Sequence, residues 1–162
     1  MSALIGPVHP EDAGELLTVQ RAAYVAEAQL NGVLDLPPLR ETAEEIAADL
    51  ASSTVLSFGA WLGTRLIGSV RGRPDGDRME ISRLSVAPDQ QGRGVGRALL
   101  AQVTAATPPT VRTLWLVTGT KSAANVRMYT RAGFAQVDER TDALGVPVVV
   151  LEKPAGVQPN AG

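Results

Sequence analysis

Between residues 90 and 100 the chain reads QQGRGVGRALL, so that Gly92, Gly94 and Gly96 alternate with Gln91, Arg93, Val95 and Arg97 before an aliphatic run begins. Glycines lacking Cβ atoms let a bulky ligand come close to the backbone. Where such a stretch opens a helix, the first amides have no intrahelical partner, and the helix dipole places partial positive charge beside them. The two arginines add full charge on the same rim, and Gln91 can close the loop by side-chain hydrogen bonds. Anion binding suits all of these residues, with a phosphate or diphosphate as occupant. A tight strand-to-helix connection needs only one glycine, which makes a mere turn the weaker reading.

The spacing also says which phosphate chemistry is absent. The loop lacks the GxxxxGK[ST] pattern that would carry a lysine and a magnesium-binding hydroxyl, so nucleoside triphosphate hydrolysis has little support. A dinucleotide fingerprint would need a third glycine where Leu99 stands, and no acidic residue ends a following strand at the expected distance. Among 162 residues there is no cysteine, and His9 is the only histidine. Disulfides, thiolate zinc sites, a cysteine nucleophile and a Ser/His hydrolase are thereby set aside, and no metal is expected. Net charge is −2, so no global field draws the chain to nucleic acid or to an anionic membrane. No window approaches about 18 uncharged apolar residues, and the chain reads as a soluble cytoplasmic protein.

Changes of hydrophobic period supply the elements that must position the loop. Residues 3–8 read as a strand, and residues 11–30 as a helix carrying Leu16, Val19, Gln20, Ala23, Tyr24 and Glu27 at helical spacing. The segment 31–40 breaks with Asn31-Gly32 and Pro37-Pro38, and a second helix is predicted over 41–51. From 54 to 87 three β-rich runs are separated by Gly63-Thr64 and by Pro74-Asp75-Gly76, which predicts an antiparallel meander. The glycine loop follows the last of these strands and opens a helix over 95–106, with Val95, Leu99, Gln102, Val103 and Ala106 on one face. Then come the strand VRTLWLV, the helix SAANVRMYTRA ended by Gly133, and the strands FAQVDER and VPVVVLE. Trp61 and Trp115 read as core residues of strands. One domain over 1–154 and a flexible tail over 155–162 are expected. The last strand, VPVVVLE, reads as an exposed edge on which a homodimer could form.

The run Gln91-Gly92-Arg93-Gly94-Val95-Gly96 resembles the Q/R-x-x-G-x-G/A signature of the GNAT superfamily of N-acetyltransferases. The strand ISRLSVAP before it and the ending NVRMYTRAGF after it resemble the same family, with the specific motifs between about residues 78 and 134. The resemblance implies an α/β fold with a mixed, mostly antiparallel sheet of about seven strands, flanked by about four helices, whose fourth strand is bulged near Ser85 and splayed from its neighbour. It implies that the loop holds the diphosphate of acetyl-coenzyme A, and that backbone groups of Leu84, Ser85 and Val86 meet the pantetheine arm. By the same resemblance Tyr129 donates a proton to the coenzyme A thiolate. Many relatives place an asparagine seven residues before that tyrosine; here Ser122 stands there, as a candidate helix N-cap, and Asn125 is kept as a cofactor-binding candidate.

Acetyl transfer to an amine needs a neutral amine, a polarised carbonyl and a proton for the departing thiolate. At pH 7 an alkyl amine is neutral in about one molecule in a thousand or fewer, so a base is useful. Glu80, the only acid between Asp77 and Asp89, is the candidate, read equally well as a solvated strand carboxylate. A phenol and a thiol have pKa values within about two units, which suits Tyr129 as a donor. The acceptor site is expected around Tyr24, Glu27, Leu34 and Leu36, a mixture that fits a small-molecule amine or a peptide. With no cysteine to carry an acyl group, direct attack within a ternary complex is expected. Two other classes remain open: a non-catalytic acyl-coenzyme A sensor, and an NAD-binding oxidoreductase.

Overall fold

The computed structural model describes residues 2–156, and its strands lie where alternation predicts them. They are β1 (Leu4–Pro7), β2 (Leu56–Leu62), β3 (Arg65–Asp75), β4 (Arg78–Val86), β5 (Thr113–Gly119), β6 (Ala135–Thr141) and β7 (Pro147–Pro154). All join one sheet in the order β1-β2-β3-β4-β5-β7-β6, antiparallel throughout except for the β4–β5 pair. The helices are α1 (Ala13–Asn31), α2 (Pro37–Arg40), α3 (Ala43–Ala51), α4 (Val95–Ala105) and α5 (Ala123–Arg131). Gly32 stops α1 in the left-handed conformation, and Thr42 starts α3 through a capping box with Glu45.

Alternation along β3 sorts the helices onto two faces. Gly68 and Gly72 leave room for Val95, Leu99 and Val103 of α4, whereas Arg71 points to the other face, where Gln20 of α1 and Asp49 of α3 meet it. The core between these layers is aliphatic, centred on Leu16, Ile46, Ile67, Val70, Leu99, Leu114 and Leu151. Among the described residues, no helix is long and apolar enough to cross a membrane.

Three details differ from the sequence expectation. Pro37-Pro38 begins the single-turn α2 rather than an open loop, because proline suits the first helical turn. The β3–β4 turn is Gly76-Asp77, with Pro74 and Asp75 still inside β3; Gly76, at φ 62, supplies the left-handed residue of a two-residue hairpin. The strand VPVVVLE is not an edge: β7 lies between β5 and β6, which satisfies its backbone on both sides and explains its apolar run. The edge on that side is β6, exposed along its whole length. The expected flexible tail lies, from residue 157 onward, outside the described residues, while Ala155 donates to the Arg112 carbonyl at 2.9 Å.

Beneath α1 the side chain of Arg71 is almost wholly buried, 1% exposed. Its terminal nitrogens donate to Glu41 at 2.6 and 2.9 Å, to Asp49 at 2.7 Å and to Gln20 at 2.7 Å, while Gln20 donates to Glu41 and to the Pro38 carbonyl, each at 2.9 Å. Burial alone would raise the Glu41 carboxyl, but hydrogen bonds from Arg71 and Gln20 and the nearby guanidinium charges lower it from 4.5 to about 2. A carboxylate whose folded pKa lies below its unfolded value stabilises the fold above the unfolded pKa and loses that contribution as pH falls through the folded one. Stability to urea should therefore hold above pH 4.5 and decline between 4.5 and about 2. Glu41→Gln should remove this part of the decline and lower stability at neutral pH by about 3 kcal/mol, since it leaves a buried cation short of its partner.

Candidate active site

β4 and β5 are neighbours over only three residue pairs, Arg78↔Thr113, Met79↔Leu114 and Glu80↔Trp115. Beyond Glu80, β4 remains with β3 to Val86 and β5 remains with β7 to Gly119, so the facing edges part and leave backbone unpaired. A bulge accompanies the parting. Ser69 faces Ser85 and Arg71 faces Ser82, so Arg83 and Leu84 together oppose the single residue Val70. Arg83 carries φ 56, and the Ser85 hydroxyl donates to its carbonyl at 3.1 Å. The bulge expected near Ser85 is formed by Arg83 and Leu84 immediately before it, with Ser85 as its clasp.

The parted strands open into a cleft of about 1070 Å³, walled by α1 and α2, β4, the glycine loop, the end of β5 and the start of α5. At one end, Gly94 is the N-cap of α4 with φ 82 and Gly92 precedes it at φ 77. A Cβ at either position would meet nothing within 4 Å, so backbone conformation, not space, requires glycine there. The first helical bond runs from the Ala98 amide to the Gly94 carbonyl at 3.0 Å, leaving the amides of residues 94–97 without intrahelical acceptors. Gln91 donates to the Val86 carbonyl at 3.2 Å and closes the loop against β4. This end of the cleft can hold a diphosphate, and the unpaired edge of β4 leads from it toward the interior.

At the inner end lie Tyr129, Tyr24, Glu27, Ser122 and Asn125. The Ser122 hydroxyl donates to Glu27 Oε1, and Asn125 Nδ2 donates to the same oxygen at 3.3 Å. Ser122 does occupy the N-cap position of α5, but its hydroxyl serves Glu27 and makes no capping bond. Burial, with smaller contributions from Tyr24 and Glu27, pushes the Tyr129 phenol well above its ordinary range. Burial also raises Tyr24 to about 12, with Arg83 opposing the shift and Glu27 adding to it. Both phenols are therefore proton-bearing donors at neutral pH. The gap between Tyr129 and a thiol is wider than the two units expected from unperturbed groups, because the ring is 7% exposed. Burial likewise raises Glu80, against the pull of Arg73 and Arg83.

Residues 23–134 match the Acetyltransferase (GNAT) family, more than half of the chain. The chain belongs to this acetyltransferase family. It is also 31% identical over 139 residues to UPF0157 protein YqkA of Bacillus subtilis (strain 168), covering 86% of this chain and 39% of that protein. Solved structures share the fold at lower identity. The ribosomal-protein-S18-alanine N-acetyltransferase of Escherichia coli superposes with TM-score 0.79 at 18% identity, covering 99% of this chain and 98% of that one. The PaiA N-acetyltransferase of Thermoplasma acidophilum, solved with coenzyme A, gives 0.81 at 20% identity over 95% and 99%. Acyl transfer with acetyl-coenzyme A as co-substrate is the chemistry of the family.

In this acetyltransferase the cleft gathers most of the residues singled out in the sequence. Tyr129, Glu80, Leu84, Val86, Gln91, Gly92, Gly94, Val95, Gly96, Arg97, Asn125, Tyr24, Glu27 and Leu36 all line it. Three do not. Ser85 is buried at the bulge, Arg93 is exposed away from the cleft lining, and Leu34 is 81% exposed on the surface between α1 and α2. The separation of Leu34 from Leu36 follows from α2, which turns in at Leu36 and packs it against Ala28, Val146 and Val148. Sequence reasoning overlooked Arg83, the only cation between Met79 and Gly92, and the pairing of Ser122 with Glu27; the signal for Arg83 was a charge inside an otherwise apolar strand end.

A Cβ at residue 94 would incur the left-handed cost of about 1–2 kcal/mol beside the free amides that open α4. Gly94→Ala should weaken binding of coenzyme A about tenfold in a calorimetric titration. Gly76→Ala carries a similar φ in the distant β3–β4 turn and should lower stability while leaving affinity within about twofold.

Proposed function

We propose that this acetyltransferase passes the acetyl group directly from acetyl-coenzyme A to a primary amine, of a small molecule or a peptide, within a ternary complex. The observation that carries the reading is one continuous cleft: free helix-start amides at one end, an unpaired strand edge beside them, and a phenol with two carboxylates, Glu27 and Glu80, further in. The Thermoplasma relative, solved with coenzyme A on the same fold, supports the loop as the diphosphate site. Asn125 and the backbone of Leu84 and Val86 would line the path of the pantetheine arm.

The chemistry assigns each side chain one task. The amine nitrogen forms a bond to the acetyl carbonyl carbon, Glu80 takes the proton that the nitrogen sheds, and the carbon–sulfur bond breaks with its electron pair left on sulfur. Tyr129 donates its proton to that sulfur and is reprotonated from solvent. With no cysteine in the chain, no thioester to the enzyme intervenes. Tyr24, Glu27 and Leu36 form the acceptor side of the cleft.

Tyr129→Phe should lower kcat about a hundredfold while acetyl-coenzyme A binds within about twofold of the parent, measured by thiol release and by calorimetry. Unchanged turnover would reject the proton-donor role, and turnover absent from the parent with every amine would favour a non-catalytic sensor. A base works deprotonated, so a carboxyl raised above its ordinary 4.5 should impose a falling acid limb on kcat/KM. Glu80→Gln should lower kcat/KM about a hundredfold and erase that limb from the pH profile.

A further inference from the structure

Among the described residues, Arg83 is the only one other than glycine with a left-handed backbone. Glycine would take that conformation freely, whereas a side chain strains it. Strain of this kind points to a side chain that must be where the bulge puts it. The Arg83 side chain lines the cleft. Its Nε donates to Glu41 at 3.3 Å, and its two terminal nitrogens make no hydrogen bond among the described residues.

Glu41 has little to offer it. One of its oxygens already accepts from Arg71 and Gln20, and the other accepts from Arg71. Asp49 is shared between Arg71 and Arg73. Three guanidiniums thus share two carboxylates, and Arg83 has the longest contact of the group. Glu80 lies near Arg73 and Arg83 but makes an ion pair with neither among the described residues. Tyr24 lies within electrostatic reach of both Arg83 and Glu27, and all three line the cleft. The cleft therefore presents the free terminal nitrogens of Arg83 and the Glu27 carboxylate in the same space.

Resting on the acetyl-transfer reading, we infer that Arg83 anchors a carboxylate of the acceptor, and that the acceptors are amino carboxylates: small molecules bearing a primary amine and a carboxylate, as a free amino acid does. The planar guanidinium matches a carboxylate through two parallel hydrogen bonds, and its terminal nitrogens are the pair left over for that purpose. A diamine would bring a second cation against Arg83. A lysine within a protein chain would bring no carboxylate to it.

The test uses the full chain, acetyl-coenzyme A and matched acceptors: free amino acids, their carboxamides, and the diamines of similar length, read by thiol release. The parent should prefer each acid over its carboxamide about thirtyfold in kcat/KM, expressed in KM, as a charge-assisted pair of hydrogen bonds gives. Arg83→Gly keeps a backbone suited to φ 56 and should bring that ratio to within about threefold of unity. Arg83→Lys should restore part of the preference. A parent that acetylates carboxamides or diamines as well as acids, or an Arg83→Gly variant that keeps the parent's ratio, overturns the assignment and leaves acetyl transfer standing. Thiol release with none of these amines overturns the assignment, and silence with a panel of peptide amines as well overturns acetyl transfer too.

Discussion

The buried guanidinium of Arg71 is the constraint around which the α1 side of the cleft is organised. A charge taken out of water must be met by close partners, and the partners here come from Gln20 on α1, Glu41 at the end of α2 and Asp49 on α3. One side chain on a central strand thus fixes three separate pieces of chain. Gln20, Tyr24 and Glu27 follow one another along a single face of α1, so fixing the first sets the height of the other two above the parted strands. The exposed Arg73 adds to Asp49, and Arg83 adds to Glu41, so the network reaches from the sheet interior to the wall of the cleft.

The glycine-loop end of the cleft depends on a different economy. The start of α4 presents free backbone amides and two left-handed glycines, an arrangement that can hold an anion with no net positive charge from the chain. The same bulge that accompanies the parting of β4 from β5 carries Arg83 into the cleft, so the open strand edge and the placing of Arg83 share one backbone irregularity. Ser85 secures it from below by its bond to the Arg83 carbonyl. Ser122 and Asn125, from the start of α5, both converge on Glu27 and tie the C-terminal half of the chain to α1.

Much of this was legible in the residues alone. Alternation gave the strands, glycine spacing gave the loop, and the stripe on α1 placed Tyr24 and Glu27 together. The parts that escaped depend on partners far apart in sequence. Arg71 and Glu41 are separated by 30 residues, and Glu27 and Asn125 by 98, so no local pattern announces either pair. The bulge was expected near Ser85, but that Arg83 and Leu84 form it was not legible, because alternation cannot say which residue of a strand goes unpaired. The edge strand was misassigned for a related reason. An apolar run such as VPVVVLE is as well suited to the middle of a sheet as to its rim, and only the return of β6 alongside β7 decides.

The narrow join between β4 and β5 divides the sheet into two panels along a short seam. One panel holds β1 to β4 and the other β5 to β7, and three residue pairs hold them edge to edge. An extended ligand lying along the gap would supply the missing rungs of the ladder and splint the seam. Mechanical stiffness would then report occupancy, since a splinted seam would yield less than an open one.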